Sequence, residues 1–259
     1  MTYCVAARLN EGMVFLSDSR TNAGMDQVST FRKMEVFERA GDRLIVLLSA
    51  GNLAITQGVR EVLNEDSDAD TLWTVDSLAQ AAELVGRAVR KVHARDGRAF
   101  ADFGIEFNCS FILGGQIRGE ACRLFNVYSA GNFIEAHSDC PYFQIGESKY
   151  GKPILDRVLG PETPIDDAVK CLLVSMDSTL RSNISVGMPL DLLAYHSGDL
   201  RTSRFVSIGD DDEYFASIRG RWSQLLREAF QALPAPDWTQ APSGRSRAIF
   251  ERSIRSHDQ

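Results

Sequence analysis

Apolar positions recur along this chain first with a period of two and then with a helical period, and the order of the two predicts its elements. Tyr3, Val5, Ala7 and Leu9 alternate with Thr2, Cys4, Ala6 and Arg8, which predicts a first strand carrying apolar residues on both faces. "LNEG" turns the chain and "MVFLSD" returns it, so a hairpin delivers Asp18 near its end. "VSTFRKMEVFERA" and "DRLIVLLSA" predict a second hairpin around "AGD", giving four strands before any helix. Ile55, Val59, Val62 and Leu63, and then Leu78, Ala82, Val85, Val89 and Val92, predict amphipathic helices over 53–65 and 76–95.

The second half repeats the order with different letters. "GIEFNCSFILGG", "EACRLFNVYS" and "YFQIG" read as strands, 148–159 and 164–180 as helices, and "LDLLAYH" and "SRFVSI" as returning strands. Strands, helices and strands in that order suit an α+β chain with two sheets face to face and helices outside. "DDDE" opens a last helix over 211–231, its carboxylates placed for the helix dipole rather than for a metal. The division expected is a domain over 1–233 and a Pro/Ser/Arg-rich extension over 234–259 that wraps a surface or another subunit.

Composition narrows the class. A chain of 259 residues, 44% hydrophobic and 24% charged, can bury a large core. A net charge of −7 argues against a nucleic-acid partner, which needs a basic face. Cys4, Cys109, Cys122, Cys140 and Cys171 are odd in number and lack CxxC spacing, and His93, His137, His196 and His257 lack ligand spacing, so neither a disulfide framework, a metal nor a cofactor is expected. No apolar run reaches the length of a membrane span, and charges interrupt residues 1–20, which makes the cytoplasm the expected compartment.

Taken singly, the candidate catalytic groups have plain structural readings. Asp18 and Arg20 suit a turn ion pair, Lys33 a solvated strand, Asn52 a helix cap, and Cys4 the core. Their joint order changes the reading. Thr2 follows Met1, and Met before a small residue is a substrate for methionine aminopeptidase, so the mature chain is expected to begin with a free Thr2 amine. Behind it come "DSRTNAG" from Asp18, "STFRKMEVF" with Lys33, and "SAGNLA" from Ser49. This succession resembles proteasome β subunits. "FQIGESKYGKPILDR" and "SMDSTLRSNISVGMPLDLLAY" are similar to a bacterial branch of them, the Anbu (ancestral beta subunit) family, with the likeness running from Thr2 to about Gln231.

The resemblance implies a four-layer αββα sandwich of the amino-terminal-nucleophile hydrolases, assembly into a ring-like or helical homo-oligomer, and peptide or protein substrates; it supplies no unfoldase partner. It implies Thr2 as nucleophile, Asp18 and Lys33 as its supporting pair, and the Gly51 N–H as oxyanion donor. The chemistry is coherent: a threonine hydroxyl needs a nearby base, a terminal amine can supply one, and an adjacent ammonium disfavours the protonated amine. Where the family carries a serine after Ile-Gly, Glu147 stands here and Ser148 follows, so Ser148 takes that part. Asp177 matches the family's supporting aspartate, with Ser185, or alternatively Ser182, as its serine across a longer interval. The subsite for the side chain preceding the cut bond falls on Thr21, Phe31, Ser49 and Leu53, none charged, which favours neutral apolar side chains. Two other readings stay open: an amidase of the same catalytic class, and an assembly subunit with a vestigial site.

Overall fold

A computed structural model describes residues 2–22, 28–65 and 70–236. The elements run β1 (Tyr3–Arg8), β2 (Gly12–Asp18), β3 (Arg20–Asn22), β4 (Val28–Thr30), β5 (Met34–Arg39), β6 (Arg43–Gly51), α1 (Leu53–Asn64) and α2 (Leu78–Asp102). They continue through β7 (Cys109–Ile117), β8 (Arg123–Val127), β9 (Phe133–Glu135), β10 (Tyr142–Gly146), α3 (Lys152–Val158), α4 (Ile165–Ser182), β11 (Leu190–His196), β12 (Arg204–Ile208) and α5 (Glu213–Gln231). The chain divides into two compact units, Met1–Arg219 and Gly220–Gln259. Of the expected extension, residues 237–259, with Arg245, Arg247, Arg252 and Arg255, lie outside the described residues.

Two five-stranded sheets, in the orders β10-β1-β2-β11-β12 and β5-β6-β7-β8-β9, are antiparallel throughout. The period of two explains how they stack. Cys4, Ala6, Met13 and Phe15 point one way and meet Leu44, Val46, Leu48 and Ile112 of the second sheet, forming a core between the sheets. Tyr3, Val5, Val14 and Leu16 point the other way and pack on α3 and α4 through Leu155, Leu172 and Met176. Ile45, Leu47, Phe111 and Leu113 face outward from the second sheet onto Ile55, Val59, Val85 and Val89 of α1 and α2. Three cores in succession separate four layers, helix, sheet, sheet, helix, so the chain is a four-layer α+β sandwich.

Six strands, not four, precede the first helix. The long strand expected from "VSTFRKMEVFERA" is divided because residues 31–33 cross from one sheet to the other: the Phe31 N–H donates to the Ser19 carbonyl at 2.7 Å, while the Lys33 carbonyl accepts from the Ser49 N–H at 3.0 Å. Val28–Thr30 instead forms a small ribbon with Arg20–Asn22. α2 outruns its apolar stripe by most of two turns, and Phe100 in that extension meets Phe107 edge to face with ring centroids 6.1 Å apart. Strand β9 is too short to show an alternation. Asp212 Oδ1 accepts the Phe215 N–H at 2.7 Å at the start of α5, a helix-end role for part of "DDDE". No helix among the described residues is long and apolar enough to cross a membrane.

Candidate active site

Hairpin β1–β2 and the end of β6 bring the start of the chain to the wall of a cleft of about 740 Å³. Thr2, Lys33 and Gly51 line it together, with Thr21, Phe31, Ser49 and Leu53. Asp18 lies just behind, fully buried, at the last residue of β2. Its Oδ1 accepts Lys33 Nζ at 2.7 Å and the Tyr3 N–H at 3.0 Å, and its Oδ2 accepts the Gly187 N–H at 3.2 Å. Burial pushes the Asp18 carboxyl up from the ordinary carboxylate range, opposed by the Lys33 ammonium and the two amides. Lys33, buried as well, donates a second bond to the Arg20 carbonyl at 2.6 Å, so its ammonium is held from two sides at the cleft wall.

The backbone fixes Thr2 with equal care. The Glu147 N–H donates to the Thr2 carbonyl at 2.7 Å. Gly146, one residue earlier, has φ +82°, and a Cβ there would stand 2.0 Å from that carbonyl oxygen. Gly51 has φ +114°, and its Cβ would stand 2.4 Å from the Asn108 carbonyl oxygen. Only glycine meets both demands, a left-handed backbone and a close backbone neighbour. Next in the chain, Asn52 caps α1, its Oδ1 accepting the Ala54 N–H at 3.0 Å. The plain reading of Asn52 as a cap therefore holds beside the role its neighbour Gly51 takes in the cleft wall. Cys4, directed at the Ser49 carbonyl at 3.7 Å, is in the core, and burial pushes its thiol up, which suits packing and not attack.

No protein-family model matches the chain, and no curated protein does. Solved structures do. An Anbu (ancestral beta-subunit) from Yersinia bercovieri is 51% identical, with 92% of this chain covering 100% of that one at a TM-score of 0.86. An Anbu (Gly-1) mutant from Hyphomicrobium sp. strain MC1 is 49% identical over 92% of this chain and 100% of its own, also at 0.86. The helical assembly of the Anbu complex from Pseudomonas aeruginosa is 48% identical over 93% and 100%, at 0.87. This chain belongs to the Anbu family.

The remaining residues expected in the site of this Anbu chain are placed unequally. Ser148 directly follows the Glu147 that holds Thr2, and its carbonyl accepts Lys152 N–H at 3.2 Å and Gln144 Nε2 at 3.4 Å. Ser185 lies in the loop after α4, which is strapped to the site: the Gly187 N–H reaches Asp18, Arg20 Nη1 donates to the Ile184 carbonyl at 2.9 Å, and Asn183 Nδ2 donates to Glu147 Oε2 at 2.9 Å. Ser182 is exposed at the last residue of α4. Asp177, like Ser148 and Ser185, does not line the cleft; it sits inside α4, and its carboxylate accepts Arg181 Nε at 3.1 Å and Arg219 Nε at 2.8 Å. The helix accounts for this, because residues four apart share a face and Arg181 is four beyond Asp177.

Several contributors escape a reading by residue type. Gly146 and Gly187 act through the backbone, although "QIG" and "SVG" mark them as points of close approach. Arg20 acts through its carbonyl on Lys33 and through its guanidinium on the loop, not through an ion pair with Asp18. Tyr3 gives its amide to Asp18 and its hydroxyl to a buried network with Ser175 Oγ and Gln144 Nε2, both at 2.6 Å. Among the described residues, no group of three or more His, Cys, Asp or Glu could hold a metal ion.

Proposed function

We propose that this chain is a threonine peptidase of proteasome type, with Thr2 as nucleophile once Met1 has been removed. The observation that carries the reading is the convergence of Thr2, Lys33 and Gly51 on one cleft, with Asp18 bound to Lys33 behind it. In this scheme Thr2 Oγ1 attacks the substrate carbonyl carbon and its proton passes to the α-amine, directly or through a water. The Lys33 ammonium disfavours the protonated amine, keeping it available as a base, and Asp18 holds Lys33 in place. The oxyanion is received by the Gly51 N–H, a class of contact worth about 3–4 kcal/mol in acyl transfer. Collapse expels the amine product with the proton and leaves an ester on Thr2, which water hydrolyses. Ser148, next to the Glu147 that holds Thr2, and Ser185, in the loop bound to Asp18, are assigned to supporting the amine from behind the cleft wall.

The chain is further assigned to a homo-oligomer, on the strength of the helical assembly formed by its Pseudomonas aeruginosa relative. The test of the whole reading is incubation with an epoxyketone that requires both a threonine hydroxyl and its free amine, followed by intact-mass measurement and peptide mapping. One adduct on Thr2 is expected, on protein lacking Met1, and none on Thr2→Ala. Retention of Met1 in protein isolated from cells, with no adduct, would instead favour an assembly subunit whose site is vestigial.

A further inference from the structure

The cleft ends on a feature the uncharged list Thr21, Phe31, Ser49 and Leu53 conceals. Leu53 and Thr56 of α1 line the cleft, and helical periodicity puts Arg60 on the same face, four residues beyond Thr56. Its side chain is only 14% exposed. Arg60 Nη2 donates to Ser49 Oγ at 3.3 Å and Nη1 to the Arg32 carbonyl at 3.2 Å, while the guanidinium carbon lies 5.2 Å from the centre of the Phe31 ring. It therefore backs two of the residues that form the cleft wall.

The charge that faces Arg60 is Glu35, on β5. Glu35 Oε2 stands 3.3 Å from Arg60 Nε, yet both atoms are buried and neither makes a well-aligned hydrogen bond. Each charge is thus neutralised by proximity while retaining bonding capacity. Burial holds the guanidinium below its ordinary value and Glu35 opposes that, as expected of a cation out of water with a single carboxylate for company.

We infer that Arg60 and Glu35 form a self-neutralising charge pair behind the Phe31 and Ser49 wall of the cleft that determines which side chain the peptide can place there. The inference rests on the reading of this cleft as the peptide site. With both charges present, an acidic side chain entering beside Phe31 and Ser49 gains Arg60 only by competing with Glu35, and a basic one meets the converse. Neither recovers its lost hydration, so neutral side chains are accepted. Removing one member leaves the other's charge without its counterion and makes the Phe31 and Ser49 wall favour a side chain of the opposite sign.

The decisive experiment measures binding, not turnover. In the Thr2→Ala background, fluorescein-labelled peptides that differ only in having Leu, Glu or Arg at the position preceding the scissile bond are titrated by fluorescence polarisation. Leu is expected to bind best. Adding the isosteric Glu35→Gln should shift the Glu-to-Leu affinity ratio about tenfold toward Glu, and Arg60→Met should shift the Arg-to-Leu ratio about tenfold toward Arg, a factor that corresponds to ~1.4 kcal/mol. The double variant should lose both shifts. Thermal melting identifies any variant that fails to fold, and Glu35→Gln alone suffices if Arg60→Met does. Unchanged ratios in folded variants, or no peptide bound in any background, would overturn the inference. Epoxyketone labelling of the wild-type chain reports on the nucleophile separately, so a vestigial Thr2 and a wrong charge assignment give different results.

Discussion

Lys33 Nζ and Asp18 Oδ1 lie 2.7 Å apart, with neither side chain more than 6% exposed. Removing one partner strands the other's charge in the interior, a cost of about 3–5 kcal/mol for buried pairs. Lys33→Ala and Asp18→Asn are therefore expected to lower both stability and the rate of Thr2 labelling, the latter by ~10²-fold or more if the pair tunes the proton acceptor. Urea denaturation and labelling kinetics on the same preparations measure the two effects. Labelling at the wild-type rate in a folded Lys33→Ala variant would remove Lys33 from the mechanism.

The pair also sets a pH dependence of stability. Burial favours the neutral form of Asp18, so at this group the folded chain binds a proton more readily than the unfolded one. Its contribution is fully present below the ordinary carboxylate value of the unfolded chain and is lost as pH rises from there through the raised folded value. Lys33→Met deletes the charge that opposes this shift. The expected result is a steeper loss of stability with rising pH than in the wild type, read from denaturation midpoints measured from the ordinary carboxylate range upward. A flatter profile would mean that Asp18 is not the titrating group.

Gly146→Ala is expected to damage the site out of proportion to its size. The added methyl meets the Thr2 carbonyl oxygen, not a side chain that could turn away, and the residue already has a left-handed φ. Displacing a reacting group by about 1 Å can cost ~10²-fold in rate. Labelling at Thr2 should therefore drop by at least that factor, with a smaller change in melting temperature than a core truncation such as Leu16→Ala produces.

Asp177→Asn separates a structural carboxylate from a catalytic one. The charge is satisfied by Arg181 and Arg219, so its loss is expected to cost about 1–3 kcal/mol of stability and leave the rate of Thr2 labelling unchanged in folded protein. A selective loss of labelling at unchanged stability would return Asp177 to the site.

What was legible in the sequence is what side chains write into it. The alternation through Tyr3–Leu9 and "LDLLAYH" is the direct image of sheets buried on both faces, and Leu53–Leu63 the image of a helix buried on one. The order of Thr2, Asp18, Lys33 and Gly51 along the chain is legible, and the fold brings Thr2, Lys33 and Gly51 to one cleft with Asp18 paired to Lys33. The two-fold role of Arg20 is not legible, because a carbonyl carries no residue identity. Asp177 is matched by motif, and a motif does not record that Arg181 and Arg219 meet its carboxylate inside α4. The Arg60–Glu35 pair was missed because its members lie 25 positions apart and meet only when α1 packs over β5 and β6.

Tyr3 is tied at both ends, its amide to Asp18 and its hydroxyl to Ser175 and Gln144, and none of its surface reaches solvent. Chain ends ordinarily open and close many times before the rest of a domain does. Here the first peptide bond after the nucleophile's own nitrogen is enclosed like the middle of a sheet, so its N–H should exchange with deuterated solvent only when the whole sandwich opens. The placement of Thr2 is then expected to share its lifetime with the fold: whatever protects the Tyr3 amide from exchange protects the position of its neighbour.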